Sequence, residues 1–193
     1  MQLGKKSVRI NKNSIFIVLG DFMITTKRQT TETTCSGTAK SGCGCIVEGT
    51  LVFTEEGLRP IETIRIGDRV FSPERGMYAD VINTWTGIEF SDITEISAGS
   101  VKVKVTGDHP IFTRAGYVSA KLLKAGELVW SKDGIPCSVT KVTVSNSEVK
   151  VYNLDTVNDV GYAVGGYEGL WVGTNCKQNE ILKKGGREYK QLD

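Results

Sequence analysis

From residue 45 onward the chain is a succession of short β-rich runs broken by turns, and this rhythm constrains its fold more than any other feature. The runs fall at 50–53, 61–65, 69–72, 80–86, 93–97, 101–106, 110–113, 128–131, 136–144, 149–154, 161–164 and 170–173. Val101-Lys-Val-Lys-Val-Thr106 alternates strictly, as a half-buried strand does, with Lys102 and Lys104 on the solvated face. Only Ser119-Ala-Lys-Leu-Leu-Lys124 invites a short helix. The 22 glycines suit many tight turns. Many short strands with Gly turns imply an all-β, closed or sandwich-like architecture. No internal sequence repeat is expected. Upstream, residues 7–24 read as one or two strands, and 28–44 are small and polar, like a flexible linker. Beyond Lys177 the tail is charged, with Glu180 and Lys184 as an i,i+4 pair.

Charge divides the chain at the same points. Residues 1–44 carry +5, residues 45–176 carry −5 and residues 177–193 carry +2. A basic–acidic–basic division suggests a module inserted between two foreign flanks, although a basic tail can also be merely solvated. Cysteines lie at 35, 43, 45, 137 and 176, an odd count with no disulfide-framework spacing. Cys43-Gly-Cys45 lacks metal-site spacing, and with a single His no zinc site and no cofactor is expected. Free thiols favour a reducing compartment, hence the cytoplasm. The longest apolar run, over 15–24, is about half a membrane span and contains Asp21. Lys5, Lys6 and Arg9 before it would suit a signal peptide, but no small-residue cleavage site follows, so secretion is disfavoured. Trp85, Trp130 and Trp171 read as core or inter-strand anchors, and Cys137 as a core residue.

Chemistry concentrates at the two ends of the β-rich region. An amide is a poor electrophile with a poor leaving group. A thiol can convert it to a thioester by attacking the carbonyl just before it, and Cys suits this because sulfur is strongly nucleophilic. Cys45 follows Gly44, whose carbonyl is sterically open. The departing group is the Cys45 amide nitrogen, which must gain a proton. His109 is the single imidazole able to supply one, although a lone His before Pro also reads as a surface turn residue. Thr106 can orient the peptide with its hydroxyl. At the other end Asn175 precedes Cys176. An Asn side chain can attack its own backbone carbonyl and cut the chain as a succinimide. Asn before a small residue is also common in turns.

Set in order, these segments resemble a family. Cys45-x-x-x-Gly49-Thr50-x-Val52 and Gly57-Leu-Arg-Pro-Ile61-Glu-Thr-Ile64-x-Ile66-Gly67-Asp68-x-Val70 resemble the opening of Hint domains, the family of inteins, bacterial intein-like domains and hedgehog autoprocessing domains. Val105-Thr106-Gly-Asp-His109 resembles its Thr-x-x-His motif; Val151-Tyr-Asn-Leu154 and Gly169-Leu-Trp-Val-Gly-Thr-Asn175-Cys176 resemble its closing motifs. The resemblance implies a horseshoe-shaped, pseudo-twofold all-β fold that brings both ends to one active site. It implies an N-terminal flank over 1–44, a splicing domain over 45–175 of minimal-intein size, and a C-terminal flank over 176–193. By the same resemblance Cys45 forms the first thioester, assisted by Thr106 and His109. Cys176 then takes over the acyl chain, and Asn175 cyclises to release the module. The scissile junctions would be Gly44–Cys45 and Asn175–Cys176. This is a single-turnover, self-processing reaction on the chain's own flanks.

The chain also departs from that pattern. Where most inteins have a penultimate His it has Thr174, and where many have an Asp it has Asn153. Asn cyclisation is therefore expected to be slow. Asn153, Asp155, Asp159 and Thr174 are the candidates to assist it. Cys43 or Cys35 could pair with Cys45 or Cys176 as a redox block, or be ordinary flank residues. The alternatives are cleavage at one or both junctions without ligation, or an inert β module whose basic flanks bind a partner. Toxin release is disfavoured by the short tail, and sterol transfer by the Asn-Cys junction. The expected species is a monomer with no small-molecule substrate, no membrane and no nucleic-acid partner.

Overall fold

The computed structural model describes residues 44–90 and 92–174 with their side chains and, upstream, the backbone of four strands. The chain divides into two compact units, Met1–Thr31 and Glu32–Asp193. In the first, β1 (Ser7–Asn11), β2 (Ser14–Leu19) and β3 (Phe22–Lys27) form an antiparallel sheet in sequential order, three strands where one or two were expected. In the second, β4 (Thr33–Cys35) interrupts the expected linker and runs parallel to residues 85–87.

The rest of the second unit is built twice over. The first lobe contains β5 (Ile46–Val47), β6 (Leu51–Thr54), β7 (Gly57–Pro60), β8 (Arg69–Ser72), the long β9 (Met77–Glu89) and β10 (Ile93–Ala98). The second contains β11 (Val101–Thr106), β12 (Pro110–Thr113), β13 (Gly116–Ser119), β14 (Leu128–Trp130), the long β15 (Pro136–Ser145) and β16 (Val149–Thr156). The hairpin β17 (Tyr162–Val164) and β18 (Leu170–Val172) closes the unit.

The repetition reaches single hydrogen bonds. The Thr54 hydroxyl donates to the Gly57 carbonyl, and the Thr113 hydroxyl to the Gly116 carbonyl, both at 2.7 Å. Thr54 faces Val70 across its sheet, and Thr113 faces Val129. The Arg65 N–H donates to the Asp68 carboxylate at 2.9 Å, and the Lys124 N–H to Glu127 at 3.0 Å. Gly57, Gly67, Gly116 and Gly126 all have φ near +90° to +106°, where only glycine sits without strain. An internal repeat therefore exists, contrary to expectation: Thr-x-x-Gly, an aliphatic–basic pair, then Gly, an acid and Val, spaced alike in 54–70 and 113–129. The long arms are exchanged between lobes, β16 pairing with β9 and β10 with β15.

The segment 61–65, expected as a strand, begins instead with a 3-10 turn, Ile61–Thr63. Pro60 presets φ at −59°, and the Ile64 N–H closes on the Ile61 carbonyl, burying both isoleucines. The short helix expected at 119–124 is the equivalent single turn, Ala120–Leu122. Ile46, Val52, Val70, Val105, Ile111 and Leu154 lie in one apolar core, each stabilising the fold by about 1.5–3 kcal/mol. Trp171 stacks on Phe112 with ring centroids 3.8 Å apart, and its indole N–H donates to Tyr117 at 3.0 Å. Cys137 is partly buried and packs against the core. Lys102 and Lys104 are exposed and flank Glu95, their polar strand face as expected.

Candidate active site

The Gly44–Cys45 peptide lies against β11 and the turn that follows it. The Thr106 N–H donates to the Cys45 carbonyl at 2.8 Å, and the Cys45 N–H donates to the Thr106 hydroxyl oxygen at 2.7 Å. The nitrogen that would depart is thus gripped by a side chain that both accepts and donates. Cys45 itself is buried.

The turn 106–109 is tied down along its length. The His109 N–H donates to the Thr106 carbonyl at 3.0 Å, and the Ala120 N–H to the His109 carbonyl at 2.9 Å. Lys121 adds its N–H to the Gly107 carbonyl and an ion pair to Asp108. Gly44 lies directly on this turn: a Cβ there would overlap the His109 Cα, N and Cβ. The open carbonyl read from the sequence is therefore also a steric necessity.

His109 is wholly buried, not a surface turn residue. Among the described residues neither ring nitrogen makes a well-formed hydrogen bond, although the Gly44 backbone lies close enough to favour the protonated ring. Burial dominates, lowering the imidazole pKa to about 4. The ring is consequently neutral at physiological pH.

The opposite wall is Asn153 on β16. Its side-chain amide donates to the Gly44 carbonyl at 2.9 Å and also to the Thr174 carbonyl. Thr174 is fully buried and is held there by the β17–β18 hairpin: β18 pairs with β12 at Val172 and Ile111, and the Gly173 N–H donates to the Pro110 carbonyl at 2.8 Å. The structure thus brings together Gly44, Cys45, Thr106, His109, Asn153 and Thr174. Asp155 faces another way, accepting from the Trp85 indole at 2.8 Å and from Asn83 at 3.4 Å. Asp159 is exposed at the end of the turn Val157–Asp159. Asn175, Cys176 and Cys43 lie outside the described residues, as does the side chain of Cys35. Tyr162, which the sequence reading passed over as one apolar-strand residue among several, donates its hydroxyl to Asn153 Oδ1 at 3.0 Å.

Among the described residues no cluster of His, Cys, Asp and Glu is disposed to hold a metal ion, and no helix is long and apolar enough to cross a membrane.

Two exchanged lobes that converge on Cys45 and one Thr–Gly–Asp–His turn define a Hint fold of the intein type. A bacterial intein-like domain from Clostridium thermocellum superposes with a TM-score of 0.62 at 28% identity, over 67% of this chain and 98% of that one. The gp41-1 intein gives 0.60 at 19% identity, over 68% and 98%. A DnaB intein from Synechocystis gives 0.58 at 15%, over 68% and 98%; these two show the fold alone. The chain belongs to the Pretoxin HINT domain family, which matches residues 51–175. No curated protein sequence matches it.

Proposed function

We propose that residues 45–175 excise themselves from the chain, joining residue 44 to Cys176. The observation that carries this reading is the Gly44–Cys45 peptide held between the Thr106 hydroxyl, the His109 turn and the Asn153 amide. Cys45 Sγ attacks the Gly44 carbonyl carbon. A neutral His109 takes the thiol proton and returns it to the Cys45 nitrogen as the C–N bond breaks, so imidazolium exists only in passing. As the nitrogen becomes an amine, the Thr106 hydroxyl turns from acceptor to donor. Cys176 then accepts the acyl group, Asn175 cyclises, and a sulfur-to-nitrogen shift restores a peptide bond. Holding the groups in place supplies leverage equivalent to effective molarities of roughly 10⁵ M or more.

The intact masses of freshly expressed protein test this directly. Splicing gives a 62-residue ligated product and a 131-residue module from the 193-residue chain. A population of intact chain alone, after prolonged incubation, overturns the proposal. The second reading, cleavage without ligation, draws on the pretoxin family and on Thr174 in place of a titratable residue; it gives separate flanks.

Cyclisation of Asn175 is the slow step in this reading, because a Thr hydroxyl shuttles no protons near neutral pH while a general acid or base typically contributes about 10²–10⁴-fold. Time-resolved mass spectrometry after hydroxylamine trapping should show thioester accumulating before succinimide. Thioester formation slower than cyclisation would refute that order. Thr174→His should then accelerate release of the C-terminal flank.

A further inference from the structure

Asn153 is almost wholly buried, yet each face of its amide is filled. Nδ2 donates to the Gly44 and Thr174 carbonyls, while Oδ1 accepts from the Leu154 N–H at 2.8 Å and the Tyr162 hydroxyl at 3.0 Å. This fixes which way the amide points. Turned over, it would set its oxygen against two carbonyl oxygens and its NH₂ against the Leu154 N–H. Tyr162 is fully buried on β17. Burial, and after it the neighbouring Cys45, holds the phenol far above its ordinary pKa, so it remains a donor throughout the working range.

We propose that Asn153 is a catalytic residue of the first step, donating to the oxygen of Gly44 as that oxygen becomes an oxyanion, and that Tyr162 is its positioning residue. This rests on the self-processing reading above and adds the donor that the first step requires. As the S–C bond forms, the carbonyl π electrons move onto the Gly44 oxygen, and Asn153 Nδ2 lies 2.9 Å from it before any motion. The tetrahedral species collapses by losing the Cys45 nitrogen, which carries away the proton lost by the thiol. Asn153 exchanges no proton. Its second bond, to the Thr174 carbonyl, ties Gly44 through one amide to the residue before Asn175.

Thioester formation, measured as hydroxylamine-cleavable chain in an Asn175→Ala parent, tests the role. Asn153→Asp keeps the shape but donates only while protonated. Its rate should fall about tenfold per pH unit once the carboxyl ionises, a limb the parent lacks. The titratable groups around this position, Cys45, His109, Tyr162 and Asp155, are the same in both chains. Tyr162→Phe should slow the parent about fivefold, the worth of one ordinary hydrogen bond, and have no further effect in an Asn153→Ala background. An Asn153→Asp profile that superimposes on the parent's, or an equal Tyr162→Phe loss in both backgrounds, overturns the assignment while leaving self-processing standing. A parent that forms no thioester takes both down.

Discussion

A chain carrying Gly44→Ala should behave almost as if Cys45 had been replaced by Ala: folded, intact and unprocessed. Cys45→Ala removes the nucleophile outright. Gly44→Ala keeps every reacting group, but its new methyl falls on the Cα, N and Cβ of His109. Those are main-chain or near-main-chain atoms of a turn held by hydrogen bonds at both ends, so no rotamer change relieves the overlap. The less costly adjustment is for residue 44 to lift away, which draws its carbonyl off Asn153 and the scissile nitrogen off the Thr106 hydroxyl. A displacement of about 1 Å at a reacting centre costs about a hundredfold in rate. The expected result is thioester formation at least about a hundredfold slower, with little change in the thermal unfolding of the β module, because the displaced atoms belong to its upstream edge. Wild-type cleavage rates in Gly44→Ala would show that the close packing on His109 has no part in the chemistry.

Much of the module was legible because its strands obey a simple rule. β8, β11 and β12 lie where short β-forming runs are bounded by turns, and in β11 apolar and polar side chains alternate through Val105. The segment at 61–65 misled because Ile61 and Ile64 are β-branched, and β-branched residues usually signal strands. Pro60 and the three-residue spacing of the isoleucines were the better signal, since one tight turn puts both on the same face. The repeat stayed hidden because it conserves turn chemistry and a few core positions rather than composition. Thr54 and Thr113, Gly67 and Gly126, and Asp68 and Glu127 act alike, while the residues between them face solvent or different neighbours and have diverged.

The duplication also explains why one end of the site was readable and the other was not. The turn 47–50 is the first lobe's counterpart of 106–109: the Thr50 N–H donates to the Val47 carbonyl as His109 donates to Thr106, and Ile61 donates to Thr50 as Ala120 does to His109. Both turns are structurally sound, but only the second carries a hydroxyl and an imidazole at its ends, and only there does the chain lay Gly44 on top. Reactive side chains of unusual type are conspicuous in a sequence. Tyr162 is not, because a Tyr in an apolar strand is ordinary, and what gives it meaning is the orientation of an amide nine residues earlier in sequence.

Acid should unfold this protein through His109. The ring is sealed in the core with its pKa lowered from 6.5 to about 4 by burial, an effect that the Gly44 backbone only partly offsets. In the unfolded chain the imidazole binds a proton as pH falls through 6.5, while in the folded chain it stays neutral until about pH 4. Between those values the unfolded state holds more protons, so stability rises with pH and declines with acid. The module should therefore have its full His109-dependent stability above pH 6.5 and lose roughly 3 kcal/mol of it by pH 4. That is a large part of the 5–15 kcal/mol typical of a folded domain. Denaturant unfolding of an unprocessed Cys45→Ala chain, repeated across this range, measures the decline. His109→Gln, neutral at every pH, should flatten it, leaving only the weaker contribution of carboxylates such as Glu95, held below its usual range chiefly by Lys102. An equal acid decline in both chains would mean that His109 can reach solvent and protonate in the folded state.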